Sequence, residues 1–385
     1  MTSDELTSVE RRFVELAGAS LPLPAGGRTL QRWRRLAEVA AEDLALVKLY
    51  ESHTDALAIL AELDGSAVAE SRATELVGAL AELDGSAVLA ESGARWAVWA
   101  AEPPDARLSV VADGDRVRLR GRKAWCSGVG VVSHALVTGW NADGRQQVAA
   151  VRLGQAGITA HREAWQAPGM SRAGTADLVF DDVPAMPVGR PGQYTDRPGF
   201  WHGGCGIAAC WYGGTLPLAR AVLASVQDGG GVSDHGGEAV ASSGANAAMS
   251  GEAVASSGAN AAMSARPKSK QISPHAQAHL GAIDLALCSL RALLTDTAAW
   301  LDANPAATAA GPALRLRGAA DATARLVLDH AGRALGAGPL CRDPSVARHF
   351  ADLPIFIRQT HAERDLAELG GLIASETGVA EAWQL

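Results

Sequence analysis

Apolar residues recur at a helical period through the first quarter of the chain. Between Glu5 and about Trp99, Leu36, Val39 and Ala40 are followed by Leu44, Leu46 and Val47, and no alternating stretch competes. Pro22, Pro24 and Gly26-Gly27 break this region early. The period then changes. Residues 107–112 and 116–120 flank Asp113-Gly114-Asp115, a hairpin signal, and Val117 and Leu119 alternate with arginines. Residues 133–140, a turn at 141–144 and residues 146–153 predict a second strand pair. Residues 157–165 and 175–180 extend the β-region to near Val188. Strand follows strand with no helix between, which argues against a parallel Rossmann sheet. After Pro198, residues 216–226, 276–301 and 314–335 are long, Ala/Leu-rich and helical in pattern.

The order helical, β, helical predicts an α+β, mostly helical fold. An N-terminal helical domain is expected over 1–95, a central β-barrel-like domain over 96–190, and a C-terminal helical domain over 191–385. Two duplications interrupt this plan. AELDGSAVAES at 61–71 nearly recurs at 81–92, and GEAVASSGANAAMS at 237–250 recurs letter for letter at 251–264. These copies hold too little apolar surface to stack as a solenoid, so 229–270 reads as a low-complexity insertion between helices.

Composition narrows the class. With 48% hydrophobic and 20% charged residues over 385 positions, the chain suits a globular protein with a sizeable core. A net charge of -8 argues against nucleic acid or an anionic membrane as main partner, though a local basic cluster can still hold an anionic small molecule. Cys126, Cys205, Cys210, Cys288 and Cys341 include no C-x-x-C pair, which points to reduced thiols. The polar, acidic start is unlike a signal peptide, and no apolar run of membrane-span length stands out. A cytoplasmic protein without membrane insertion is expected. His275 and His279 stand at an i, i+4 spacing but lack an obvious third ligand, so no metal is expected.

The segment Gly121-Arg122-Lys123-Ala124-Trp125-Cys126-Ser127-Gly128 carries the clearest chemistry. On an extended backbone, Trp125 and Ser127 share one face and offer an aromatic plane beside a hydroxyl, which suits a flat ring with polar edges. This stretch resembles the Gly-x-Lys-x-Trp-Ile-Thr/Ser motif of the acyl-CoA dehydrogenase family, whose Trp packs on the flavin and whose hydroxyl bonds its N5. Val98-Trp99-Ala100-Ala101-Glu102-Pro103 resembles the strand and Glu-Pro turn that open the same domain. Residues 348–355 resemble the family's Arg-x-x-Arg-Asp-x-x-Ile segment, and Leu335-Gly336-Ala337-Gly338 stands at its Gly-Gly-x-Gly turn.

The resemblance implies an acyl-CoA dehydrogenase-like architecture with a C-terminal four-helix bundle and an FAD cofactor. Trp125, Ser127, Ala100 and Cys126 would contact that FAD, and Arg333, Leu335, Gly336 and Gly338 the FAD of a neighbouring subunit. It also implies a homodimer or homotetramer that oxidises the Cα–Cβ bond of an acyl-CoA, as in fatty acid metabolism, and passes electrons to a carrier flavoprotein. Hydride removal from a saturated carbon needs such a cofactor, and a carboxylate must take the α-proton. The family's glutamate turn falls at 358–361, which holds no glutamate; Glu363 lies close but off register. Thr360-His361-Ala362-Glu363-Arg364-Asp365 resembles instead a Thr-His-x-x-His/Arg-Asp stretch of flavin monooxygenases on the same fold, where a histidine serves as proton donor. His202, in the aromatic and Gly-rich run 200–206, is a further candidate polar group beside the flavin. Three readings follow: dehydrogenase, flavin monooxygenase, or a catalytically silent assembly partner.

Overall fold

The computed structural model describes residues 7–64, 69–84, 93–228 and 273–375. The exact repeat at 237–264, with the whole insertion expected over 229–270, lies outside them. The shorter duplication falls on the ends of two helices and continues outside the described residues.

Four helices open the chain: α1 (Ser8–Ala17), α2 (Thr29–Glu42), α3 (Leu44–Asp64) and α4 (Ala69–Asp84). Thr7 and Glu10 form a reciprocal capping box at the start of α1, satisfying two of its free N–H groups. Asp43 separates α2 from α3 and caps the latter, Oδ1 accepting the N–H groups of Ala45 (2.9 Å) and Leu46 (3.1 Å).

The helical pattern runs to about Trp99 in the sequence, while the family resemblance places a strand at Val98-Trp99; Trp96–Trp99 is indeed a strand, β1. It pairs in parallel with a later strand, and its other edge is covered by α3. There Trp96 N–H donates to His53 Nδ1 (3.1 Å) and Val98 N–H to Ser52 Oγ (2.8 Å), so the edge has no free donors to recruit another chain.

Six more strands follow: β2 (Leu108–Asp113), β3 (Arg116–Cys126), β4 (His134–Trp140), β5 (Gln146–Arg152), β6 (Ile158–His161) and β7 (Ala176–Val188). The predicted hairpins β2–β3 and β4–β5 are both antiparallel. Pairing runs β4-β2-β3-β7-β5 and returns from β5 to β4, closing a barrel, while β1 and β6 add to β4 and β7. β4 and β5 are buried on both faces, and the pleat sorts their side chains. Ala135, Val137, Ala149 and Val151 join the main core, whereas Leu136, Val148 and Ala150 meet Ile59, Leu60, Leu76 and Leu80 of α3 and α4.

The chain then turns helical through α5 (Gln193–Asp196), α6 (Pro198–Gln227), α7 (Pro274–Ala303), α8 (Ala310–Leu335), α9 (Ala337–Arg342), α10 (Pro344–Phe356) and α11 (Glu363–Ser375). α8 packs on α6 and α7, α10 on α6, and α11 on α8. By length and composition α6 and α7 could each cross a membrane, which corrects the expectation that no such run exists. For α6 the cause is burial: its Cys205, Ala208, Ala209, Cys210 and Trp211 are at most 1% exposed. The apolar window of α7 is only 17% buried, and Leu285 on it is 70% exposed.

α2 crosses α6 at Gly213, where a Cβ would collide with the backbone of Ala37. Gly213→Ala therefore sets a helix-propensity gain of about 1 kcal/mol against an overpacking cost of about 1–3 kcal/mol. Because the obstructing atoms are main chain, the clash wins. Urea unfolding should show net destabilisation; a more stable variant would mean the helices can separate freely.

Candidate functional site

β3 ends in an irregularity. Its register with β7 shifts between Lys123 and Cys126, and Trp125 adopts a left-handed backbone with φ 58°. That conformation costs a non-glycine residue about 1–2 kcal/mol. The surroundings hold it: Asp177 on β7 accepts Trp125 N–H through Oδ1 (3.0 Å) and Arg122 Nε–H through Oδ2 (2.9 Å). The consequence is a reversal of the simple strand expectation. Trp125 and Ser127 do not share one regular face, because the bulge turns the indole outward to 56% exposure and leaves Ser127 buried.

Ser127 is fixed from three sides. Its Oγ lies 3.0 Å from Thr175 Oγ1, and its carbonyl accepts the Trp99 indole N–H (3.0 Å). The next two amides, Gly128 and Val129, donate to the carbonyls of Ala173 (2.7 Å) and Gly174 (3.1 Å). A hydroxyl has one donor and two acceptor sites. If Thr175 donates to Ser127, the Ser127 O–H stays available for an acceptor outside the protein. An exposed indole and, two residues on, a held hydroxyl are groups of the kind a flavin's face and edge would meet. A cavity of about 310 Å³ lined by Val129, Val132, Leu153, Ile158 and Leu178 lies close in sequence. It offers neither aromatic plane nor hydroxyl, so the Trp125 surface carries the fit.

Sequence reasoning missed the buried pair beneath this surface. Lys123, 1% exposed, donates to Glu102 Oε1 (2.6 Å), Thr138 O (2.7 Å) and Thr138 Oγ1 (2.8 Å), and Glu102 Oε2 accepts the Trp140 indole N–H (3.1 Å). Burial pushes the Lys123 ammonium below its ordinary value, against the pull of Glu102. The lysine and the Glu-Pro turn are thus tied together, and half-buried Ala100 lies on the tied segment. Both residues stood in the quoted motifs; only the fold shows that they meet.

The other expected residues divide. His361 lies in the loop after α10, its side chain 65% exposed, with Nδ1 3.1 Å from Asp365 Oδ1. Asp365 also accepts the His361 backbone N–H (3.1 Å) and Thr360 Oγ1–H (3.1 Å), and Arg317 stands 3.8 Å away. Burial works to raise the Asp365 carboxyl, but these donors and the guanidinium hold it below the usual aspartate value. Arg317 in turn donates to Gln359 O (2.8 Å) and lies over the Trp211 ring, tying α8, α6 and this loop together.

His202 is 2% exposed with Nε2 3.1 Å from Ala307 O, which ties α6 to the α7–α8 loop, and burial lowers its pKa. Glu363 is exposed in the first turn of α11, where a carboxylate complements the helix dipole, and it takes no part in the His361–Asp365 cluster. Cys126 turns its thiol into the core against the carbonyls of Lys123 and Ala124, leaving only main chain for a ligand. Arg333 is exposed and paired with Asp329 (3.1 Å). Leu335 is nearly buried, and Gly336 (φ 62°) and Gly338 lie at the α8–α9 junction, away from the Trp125 hydrogen-bond network. His279 meets His330 (Nδ1 to Nδ1, 2.9 Å), and among the described residues no group of three ligands could hold a metal.

No family model and no curated protein matches the sequence. Solved structures do match. Butyryl-CoA dehydrogenase from Megasphaera elsdenii superposes with a TM-score of 0.68 at 15% identity, over 96% of this chain and 99% of that one. The chain has the acyl-CoA dehydrogenase fold. FkbI, for biosynthesis of a methoxymalonyl extender unit, matches this fold at a TM-score of 0.69 and 16% identity, over 97% and 95% of the two chains. Dibenzothiophene monooxygenase TdsC from Paenibacillus sp. A11-2, also solved with FMN bound, matches at 0.63 and 18%, over 88% and 81%. The acyl-CoA dehydrogenase fold therefore serves both a dehydrogenase and a monooxygenase among the structures this chain is similar to.

Two predictions follow from the geometry. Lys123→Ala leaves Glu102 half-enclosed without its cation and should cost about 3 kcal/mol in denaturant unfolding; a loss below about 1 kcal/mol would contradict a structural role for the pair. Asp365, with its folded pKa depressed, contributes stability that is present above the unfolded value of about 3.9 and lost as pH falls through the lower folded value. Urea unfolding across acid pH should show that dependence in the natural protein and a flatter one in Asp365→Asn.

Proposed function

We propose that this chain is a flavin-dependent monooxygenase on the acyl-CoA dehydrogenase fold, with the flavin ring on Trp125 and Ser127 and with His361 as its proton-exchanging group. The observation that carries the reading is the loop after α10. It presents an imidazole braced by Asp365, and the family's glutamate has no counterpart there. When bound, the flavin supplies the redox chemistry that side chains lack. The chain's part is to stack the ring on the open indole, to meet a polar ring edge with the Ser127 hydroxyl, and to move a proton at His361. With Asp365 accepting the Nδ1 proton, Nε2 is the atom left to give or take one. TdsC supports this reading by being a monooxygenase solved with FMN. Both FAD, which the motifs imply, and FMN are candidates.

A second reading, acyl-CoA dehydrogenation with electrons passed to a carrier flavoprotein, draws support from the full-length match to butyryl-CoA dehydrogenase. It lacks a placed carboxylate, since Glu363 is exposed and outside the cluster. Either reading suits a homo-oligomer, and the apolar exposed surface of α7 would be covered in one.

Absorbance titration of the purified protein with FAD and with FMN tests the shared part: uptake of one is expected, and uptake of neither would leave only the silent-partner reading. Reduced, flavin-loaded protein should then consume oxygen without being bleached by acyl-CoAs when oxidised. His361→Asn should slow the single-turnover substrate oxidation by about a hundredfold, with flavin affinity within a few fold of the natural protein. Anaerobic bleaching by an acyl-CoA would instead establish the dehydrogenase.

A further inference from the structure

The residues of the proposed site come from different parts of the chain. Trp125 and Ser127 belong to the barrel, while His361 follows α10 and the short turn Ile357–Gln359. The turn over residues 169–175 touches both the Ser127 segment and α10. At its far end the turn fixes the Ser127 segment: Ala173 and Gly174 offer their carbonyls to Gly128 and Val129, and Thr175 meets the Ser127 hydroxyl. At its near end it is pressed against α10. Gly169 stands so close that a Cβ would run into the Ala351 carbonyl, and Met170 takes a left-handed backbone (φ 58°).

Between these ends stands one carboxylate. Asp352, 5% exposed on α10, accepts Met170 N–H through Oδ1 at 2.6 Å, the only direct hydrogen bond among the described residues between α10 and this turn. Arg172 and Arg348 face Asp43 from the turn and from α10, so the same seam carries a second polar contact onto the start of α3. Leu49 of α3 in turn closes over Gly128.

We propose that Asp352 is a positioning residue: by holding Met170 N–H it fixes the 169–175 turn, and through that turn the height of the Ser127 hydroxyl. It touches no reacting atom. The role rests on the flavin reading, because the hydroxyl's height matters only if a ring meets it. The Met170 backbone is in a conformation that costs a side-chain-bearing residue free energy, so losing its N–H partner removes one of the contacts that hold it, beside the Ala173 N–H on its carbonyl and its buried side chain.

The test compares Asp352→Ala, which deletes the acceptor, with Asp352→Asn, whose Oδ1 can still accept the N–H. Two readouts are taken. Hydrogen exchange of flavin-free protein reports the turn itself: the amides of Gly128, Val129 and Met170 should exchange faster in Asp352→Ala and near the natural rate in Asp352→Asn. Flavin titration reports the site: Asp352→Ala should bind about tenfold more weakly with a shifted flavin absorbance band, and Asp352→Asn should recover most of both. Equal affinity and an unshifted band in Asp352→Ala, while the natural protein binds flavin normally, would overturn the positioning role alone. Asn behaving like Ala would overturn it in favour of a charge effect on Arg172 and Arg348. Failure of the natural protein to take up any flavin would overturn the functional reading itself, a different result.

Discussion

The left-handed turn at Trp125 separates two side chains that a regular strand would have placed together. The register shift in β3 absorbs one residue, so the indole faces outward while the Ser127 hydroxyl stays in the protein, and the Asp177 carboxylate holds the strained amide. Strain of this kind persists only where neighbouring structure over-determines it, and it gathers at sites that must present a group to a ligand.

The barrel supports the turn by burying charge beneath it. Lys123 and Glu102 tie β3 to the segment after β1, on which Ala100 lies. In the proposed site the second group comes from the helices. Arg317 and Asp365 organise the His361 loop from α8 and α11, and the seam at Asp352 and Asp43 joins this half to the barrel rim. The candidate residues thus come from the barrel and from the helical half, which share one main core.

Much of this was legible in the sequence, for local reasons. The Asp-Gly turn between alternating valines and arginines is a short-range signal, and the β2–β3 hairpin follows from it. The long Ala/Leu-rich segments became α6, α7 and α8 because their period extends over many turns. The Trp-x-Ser pair is legible as a local motif. The bulge that reorients it depends on pairing with β7, some fifty residues away, which no local pattern encodes. β1 was folded into the helical region because four residues are too few to show a period, and its edge is satisfied by His53 and Ser52 from a distant helix. His202 looked available because its run is aromatic and Gly-rich; its burial against Ala307 is a tertiary fact. Hydropathy of α6 and α7 was underestimated because single charges interrupt the runs without removing their apolar faces.

A crystal structure of the flavin-loaded protein tests the central claim most directly. The account predicts the ring stacked on the Trp125 indole, a polar atom of its edge within hydrogen-bond distance of Ser127 Oγ, and the His361 loop on the far side of the ring. A flavin bound elsewhere, or a Trp125 indole folded against the protein with Ser127 still bonded only to Thr175, would contradict it.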